Sequence, residues 1–291
     1  MLLLNEWRYL NRQPLLWLAC IVLPLIAYVF AIGTGSIDSL ADKRLQALHM
    51  TLLMLCLPIL SGAFAPLVFL RDQNNNMAEL ILVTPQSPFQ RLFARLMLMF
   101  SVCVGLLLLS FVIMWFMLSL SFGWHWSLFA LTLWDFVFMA LPACALFSAL
   151  ASCLAQRFPS SVVIYTTFCA IWLSYIVLAS MSGSPMLAGS SIISPWLFAS
   201  MRLFDPFGIT ALLAHYQSTE LRLFGDTIFY LNRLAYCLVA AALFYLSLKV
   251  KPYSVAQTLP PKDILPKALK GQTYELVSQT PNASRQLLQL I

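Results

Sequence analysis

Charged side chains in this sequence fall in a few short clusters. Between the clusters run apolar stretches, each about the length that a bilayer-crossing helix needs. Six such stretches stand out: Leu15 to Gly33, Leu48 to Leu70, Leu92 to Leu120, Leu128 to Leu154, Ser161 to Leu178 and Thr227 to Leu248. The hydrocarbon layer is ~30 Å thick and a helix rises ~1.5 Å per residue, so about 20 apolar residues span it. Inside that layer the backbone must satisfy its own hydrogen bonds, and an uninterrupted apolar run does so only as a helix. The expected fold class is therefore all-α, a polytopic membrane protein of six transmembrane helices. Composition agrees: 61% of residues are hydrophobic and 10% charged, where a soluble domain carries about 25% charged residues. A soluble globular enzyme and a disordered chain are both excluded.

The placement of Lys and Arg orients the spans. With the N-terminus inside, twelve of the 17 basic residues lie on the inner side: Arg8, Arg12, Arg71, Arg91, Arg95, Arg157 and six in the tail from Lys249 to Arg285. Five lie outside, namely Lys43, Arg44, Arg202, Arg222 and Arg233. The excess marks the cytoplasmic side, so both termini are expected there. Trp124, Trp126 and Trp134 cluster about the third loop, where an outer interfacial belt would sit. Before the first span, Leu3, Trp7 and Leu10 share one helical face while Glu6, Arg8 and Arg12 lie on others. Residues 1–14 are thus expected as an amphipathic helix in the cytoplasmic interface, with Pro14 separating it from the spans. The six-span domain takes residues 15–250, with a cytoplasmic loop at 71–91 and an outer loop at 181–226. From Met181 to Met201 the apolar chain is interrupted by Ser182, Gly183, Ser184, Pro185, Gly189 and Pro195. That density of breakers predicts a short re-entrant or interfacial element rather than a seventh span. The polar, proline-bearing segment 251–291 reads as a cytoplasmic tail.

The loop 71–91 encodes its own structure. Asn76 followed by Glu79 forms a capping-box variant, predicting a short helix over 76–84 that ends before Pro85. Ser87 then offers a second cap, with Pro88 at the first helical position and Gln90 at the third. The short helix presents Leu80, Ile81, Leu82 and Val83 outside the membrane, and four consecutive apolar residues there want a partner surface.

Few residues suggest chemistry. The seven cysteines all lie in apolar stretches, with no Cys-x-x-Cys pair. His49, His125 and His215 are far apart and match no metal-binding pattern, so no metal site is expected. No catalytic residues and no bound cofactor are expected, and no nucleic-acid partner. The chain lacks the glycine-rich loop with Lys and Ser/Thr that cradles ATP phosphates; Lys270-Gly271-Gln272-Thr273 has the wrong spacing. Energy for any pumping would come from another subunit. Asp135 and Arg233 are the intramembrane polar candidates, facing a cavity or a partner span. Arg233 could also reach the interface by snorkelling or pair with Asp226. Asp205-Pro206-Phe207-Gly208 is a turn by composition: Asp bonds the backbone ahead, Pro fixes φ and Gly permits positive φ. It is expected to be an outer gate or a structural turn.

These landmarks resemble the permeases of ABC-2 type ATP-binding-cassette exporters. The pattern there is an acidic residue, a gap, Glu-Leu-Leu or similar, Thr/Ser-Pro, and a basic residue entering the third span. This chain shows Asp72, then Glu79, Leu80 and Ile81, then Thr84 and Pro85, then Arg95. It departs in having Asn-Asn-Asn-Met-Ala where many members have a Gly-Thr step. A second likeness, to a subset of these permeases, lies in Phe204-Asp205-Pro206-Phe207-Gly208 with Thr219-Glu220 and Asn232-Arg233. The resemblance implies a translocation path formed by two permease subunits, alike or homologous, embedded in membrane lipid. It implies two copies of a separate ABC ATPase that bind ATP and Mg, coupled through Asp72, Glu79, Leu80, Ile81, Thr84 and Pro85. It also implies export across a bacterial inner membrane. The alternative is an ion-coupled secondary transporter or channel, which would need ionisable groups near the midplane.

Overall fold

A computed structural model describes residues 2–34, 50–74, 87–122, 126–181, 195–212 and 227–249. Among the described residues all regular structure is helical. The helices are α1 (Leu2–Leu10), α2 (Pro14–Thr34), α3 (Met50–Phe69), α4 (Arg71–Asn74), α5 (Pro88–Phe122), α6 (Trp126–Arg157), α7 (Ser161–Met181), α8 (Pro195–Phe204) and α9 (Thr227–Lys249). Five of them, α3, α5, α6, α7 and α9, are long and apolar enough to cross a membrane, and counting the bent pair α1–α2 as one span gives six. The protein is a multi-pass membrane protein.

Local chemistry sets the helix ends. Pro14 opens α2, where its missing N–H costs nothing. The axes of α1 and α2 meet at 74°, and Trp17 Nε1 donates to the Asn11 carbonyl at 2.9 Å across the bend. Ser87 caps α5 as its sequence predicts: the Gln90 N–H donates to Ser87 Oγ at 3.2 Å and Pro88 is the first helical residue. Within α3 the helix breaks at Cys56, just ahead of Pro58. Pro159 separates α6 from α7. Between α7 and α9, the described part of the interrupted segment is α8, ten residues long and too short to span.

α3 is the hub. It packs on α5, α6 and α7 and is mostly buried, whereas α7 and α9 are mostly exposed. Gly62 brings α3 close to α7, for a Cβ there would stand 3.1 Å from the Cβ of Phe168. α6 offers its neighbours a stripe of small buried residues: Ala140, Cys144, Ser148, Ala151 and Ala155. Lipid tails give helices no hydrophobic drive to associate, so close backbone approach through small residues holds the bundle. α6 packs most extensively on α9, and also on α5 and α3. Phe111 stacks on Phe136 at 4.7 Å, tying α5 to α6. The exterior is apolar: Trp17, Ile21, Leu25 and Val29 of α2 are exposed, as lipid-facing residues must be.

In α1, Leu3 and Trp7 are exposed, while Leu10 is buried together with Glu6, one turn before it. Two arginines hold Glu6 inward.

Candidate functional site

Two polar clusters are buried at opposite ends of the bundle. The first gathers at the roots of the loop between α4 and α5. Arg71 grips Glu6 with both forks of its guanidinium, Nη1 to Oε2 at 2.7 Å and Nη2 to Oε1 at 2.9 Å. Its Nε lies 3.5 Å from Asp72 Oδ1, and its guanidinium sits over the Tyr9 ring at 4.6 Å. Arg95 donates to Asp72 Oδ2 and to the Phe69 carbonyl, and its Nε stands 3.9 Å from Glu6 Oε1. Glu6, Asp72 and Arg95 are all buried. Two acids face two bases, so the cluster is neutral, as a buried charge group must nearly be. It ties four pieces together: α1 through Glu6 and Tyr9, the end of α3 through Phe69, α4 through Arg71 and Asp72, and α5 through Arg95. Asp72 and Arg95 were singled out from sequence; Glu6 and Arg71 were not assigned to this site. Their pairing joins positions 65 apart, and only the burial of Glu6 on the inner side of α1 reveals it. The Asp72 carboxylate is engaged within the chain. Glu79, Leu80, Ile81, Thr84 and Pro85, with the predicted helix 76–84, lie outside the described residues.

The second cluster closes the turn after α8. Asp205 is fully buried. Its Oδ1 accepts the Phe207 N–H at 2.8 Å and its Oδ2 accepts the Thr210 N–H at 2.7 Å and the Tyr175 hydroxyl at 3.3 Å. Residues 209–212 start a further helical turn on this carboxylate. The opposite side of the turn is held from α9. Asn232 Nδ2 donates to the carbonyls of Leu203 at 2.6 Å and Asp205 at 3.1 Å. Arg233 Nη2 donates to the Asp205 carbonyl at 2.9 Å, Nη1 to that of Pro206 at 3.3 Å, and Nε to Asn232 Oδ1 at 3.0 Å. Tyr236 Oη donates to the Phe204 carbonyl at 2.5 Å. Phe207 plugs the centre, stacked on Phe147 at 5.4 Å and edge-on to Tyr175 at 4.7 Å.

The structure thus brings together the Asp-Pro-Phe-Gly turn and the Asn-Arg pair, two motifs that the sequence shows far apart. Arg233 does not snorkel: it is 3% exposed and turned onto backbone carbonyls. Asp226 lies outside the described residues. Tyr175 and Tyr236 were missed, because a tyrosine in an apolar run looks like any other aromatic until its hydroxyl finds a partner. Asp135 belongs to α6, more than two turns from its start; its side chain is not among those described.

Chemically, neither cluster presents a nucleophile with a base. Both are fastenings: the first joins α1, α3 and α5 around a loop, the second joins α7, α8 and α9 around a turn. No curated protein matches the chain. Residues 2–172 match the family described as ABC-2 family transporter protein, a match that includes α1 to α6, the first cluster and the loop it frames. The chain belongs to that family, the membrane permease components of ATP-binding-cassette transporters.

Proposed function

We propose that this chain is the membrane subunit of an ATP-driven exporter, working as a dimer with a separate ATPase docked at the loop 71–91. The observation that carries the reading is the first polar cluster. Both roots of that loop are fastened to the same set of buried charges, α4 by Arg71 and Asp72 and α5 by Arg95. A push on the loop is then delivered to α1, α3 and α5 together rather than absorbed by a slack hinge. Members of the family generally work with an ABC ATPase. For nucleotide binding to drive transport, the loop must contact the ATPase differently in two states.

On this reading, residues 1–14 lie in the cytoplasmic interface, 15–250 form the path with the outer loop at 181–226, and 251–291 run along the ATPase. Both termini are cytoplasmic and the membrane is a bacterial inner membrane. Leu80 and Ile81 make the docking contact, with Glu79, Thr84 and Pro85 shaping it, and Asp72 sets its root. ATP and Mg bind in the ATPase, not here. An ion-coupled mechanism has less support, because Arg233 and Asp205 are held by backbone groups.

The test is assembly. The chain is purified with candidate ATPase subunits, and Leu80→Asp with Ile81→Asp is compared with the unaltered protein. The expected outcome is loss of ATPase co-purification and of stimulated hydrolysis, with thermal stability of the permease retained. A double variant that assembles and couples normally would overturn the docking assignment. Failure of any ABC ATPase to bind would overturn the exporter reading.

A further inference from the structure

Between α5, α6 and α9 lies a cavity of about 290 Å³. Phe93 and Met97 of α5, Ala145 and Ala149 of α6, and Cys237 and Ala241 of α9 are among its walls. The surface it presents is almost wholly apolar. It exists because α6 and α9 both offer alanines there, so neither helix fills the gap that the other leaves.

Its depth follows from helix geometry. Phe93 is five residues past the start of α5 at Pro88, Ala149 eight before the end of α6 at Arg157, and Ala241 eight before the end of α9 at Lys249. At ~1.5 Å per residue these lie roughly 8–12 Å from one end of the bundle, within a single leaflet. Phe93 and Cys237 are exposed, so the cavity opens sideways to lipid. Ser148 is the one polar residue in the walls, too few partners to hold a water, and an empty apolar cavity forfeits dispersion contacts on its walls. In a bilayer the available filler is an acyl chain.

Charge narrows the choice of lipid. Each of the three helices carries a basic residue at its end nearest the cavity: Arg91 on α5, Arg157 on α6 and Lys249 on α9. Arg71 and Arg95 are paired with Glu6 and Asp72, whereas none of these three forms an ion pair with a described residue. Basic residues at the membrane ends of neighbouring helices attract anionic headgroups. We propose that the cavity holds one acyl chain of an anionic phospholipid, whose headgroup lies at the Arg91, Arg157 and Lys249 end. This lipid would be a resident of the permease, whatever the exporter carries.

The test uses the full chain in phosphatidylcholine vesicles doped with phosphatidylglycerol that bears a photoreactive group midway along one acyl chain. Adducts are expected to concentrate on 93–100 and 237–244, and to be competed by unlabelled phosphatidylglycerol but not by added phosphatidylcholine. Ala241→Phe and Cys237→Phe, both at exposed positions, should each cut labelling several-fold. Leu173→Phe on the exposed face of α7 should not. Arg91→Gln with Lys249→Gln should erase the preference for the anionic competitor. If one cavity variant fails to fold, the adduct map of the unaltered chain and the other variant still decide. Adducts spread evenly over the lipid-facing helices, equal competition by phosphatidylcholine, or labelling replaced by cross-links between Cys237 of two copies would each overturn the proposal.

Discussion

Gly208 has φ of +72°, and a Cβ built on it would stand 2.6 Å from Arg233 Cζ and Nη2. Two demands meet at this residue. The left-handed conformation costs an L-residue about 1–2 kcal/mol. The guanidinium also occupies the space where a side chain would start. A flexible arginine tip can usually step aside, but this one is held by the carbonyls of Asp205 and Pro206 and by Asn232 Oδ1. Displacing it leaves a buried charge with fewer partners. Gly208→Ala should therefore destabilise by more than the conformational cost alone, read as a lowered midpoint of thermal unfolding in detergent. Gly105 supplies the control, since it is helical and a Cβ there meets nothing within 4 Å. Gly105→Ala should be neutral or stabilising by up to about 1 kcal/mol, the helix-propensity gain. Equal losses for the two variants would contradict the fastened turn. The sequence announced the turn through Asp, Pro and Gly. It could not announce the partner, because Arg233 binds main-chain oxygens, which every residue carries.

Among elements, α1 shows most clearly what pattern reading can and cannot reach. Its helix and its separation at Pro14 were legible from periodicity and from proline's missing donor. The burial of Glu6 was not, since its partners Arg71 and Arg95 are distant in sequence. The same arginines give the element a measurable coupling. Glu6→Gln leaves Arg71 without its bidentate acceptor and the cluster with surplus positive charge. Breaking a fully buried pair costs about 3–5 kcal/mol, and the partial exposure of Arg71 lowers this to roughly 2–3 kcal/mol. Adding Arg71→Gln restores neutrality and leaves Asp72 with Arg95. The double variant should therefore lose less stability than the two single losses added, with a coupling energy of about 1 kcal/mol or more in a double-mutant cycle. Strict additivity would show that the Glu6–Arg71 contact does not hold α1 in place. The helix ends elsewhere were set by chemistry close in sequence, which is why the cap at Ser87 and the span of α9 could be read directly.

At the scale of the whole molecule, the spacing of charges predicts more than a count of spans. The long apolar helices were legible because bilayer thickness converts directly into residues, and the structure has five of them, six with the bent pair α1–α2. The bundle's interior was less so, since buried and lipid-facing positions are equally apolar and only small residues such as Gly62 and the α6 alanines mark contact. Orientation rests on the basic residues alone. The start of α5 and the end of α9 share one end of the bundle, where Phe89 packs on Phe244 with ring centroids 6.3 Å apart. Arg91 and Lys249 therefore lie on one side of the bundle, the side that the proposed orientation places in the cytoplasm. Arg233, near the start of α9, lies toward the other side and is hydrogen-bonded by the carbonyls of the turn rather than by solvent. A fluorescent protein fused after Lys251 should mature in the cytoplasm and fluoresce. Alkaline phosphatase inserted within 213–226 should be active, since that enzyme needs the oxidising outer side for its disulfides. The reverse pair of signals would invert the topology and place the 71–91 loop out of reach of any ATPase, which makes this fusion pair the most economical check on the coupled reading.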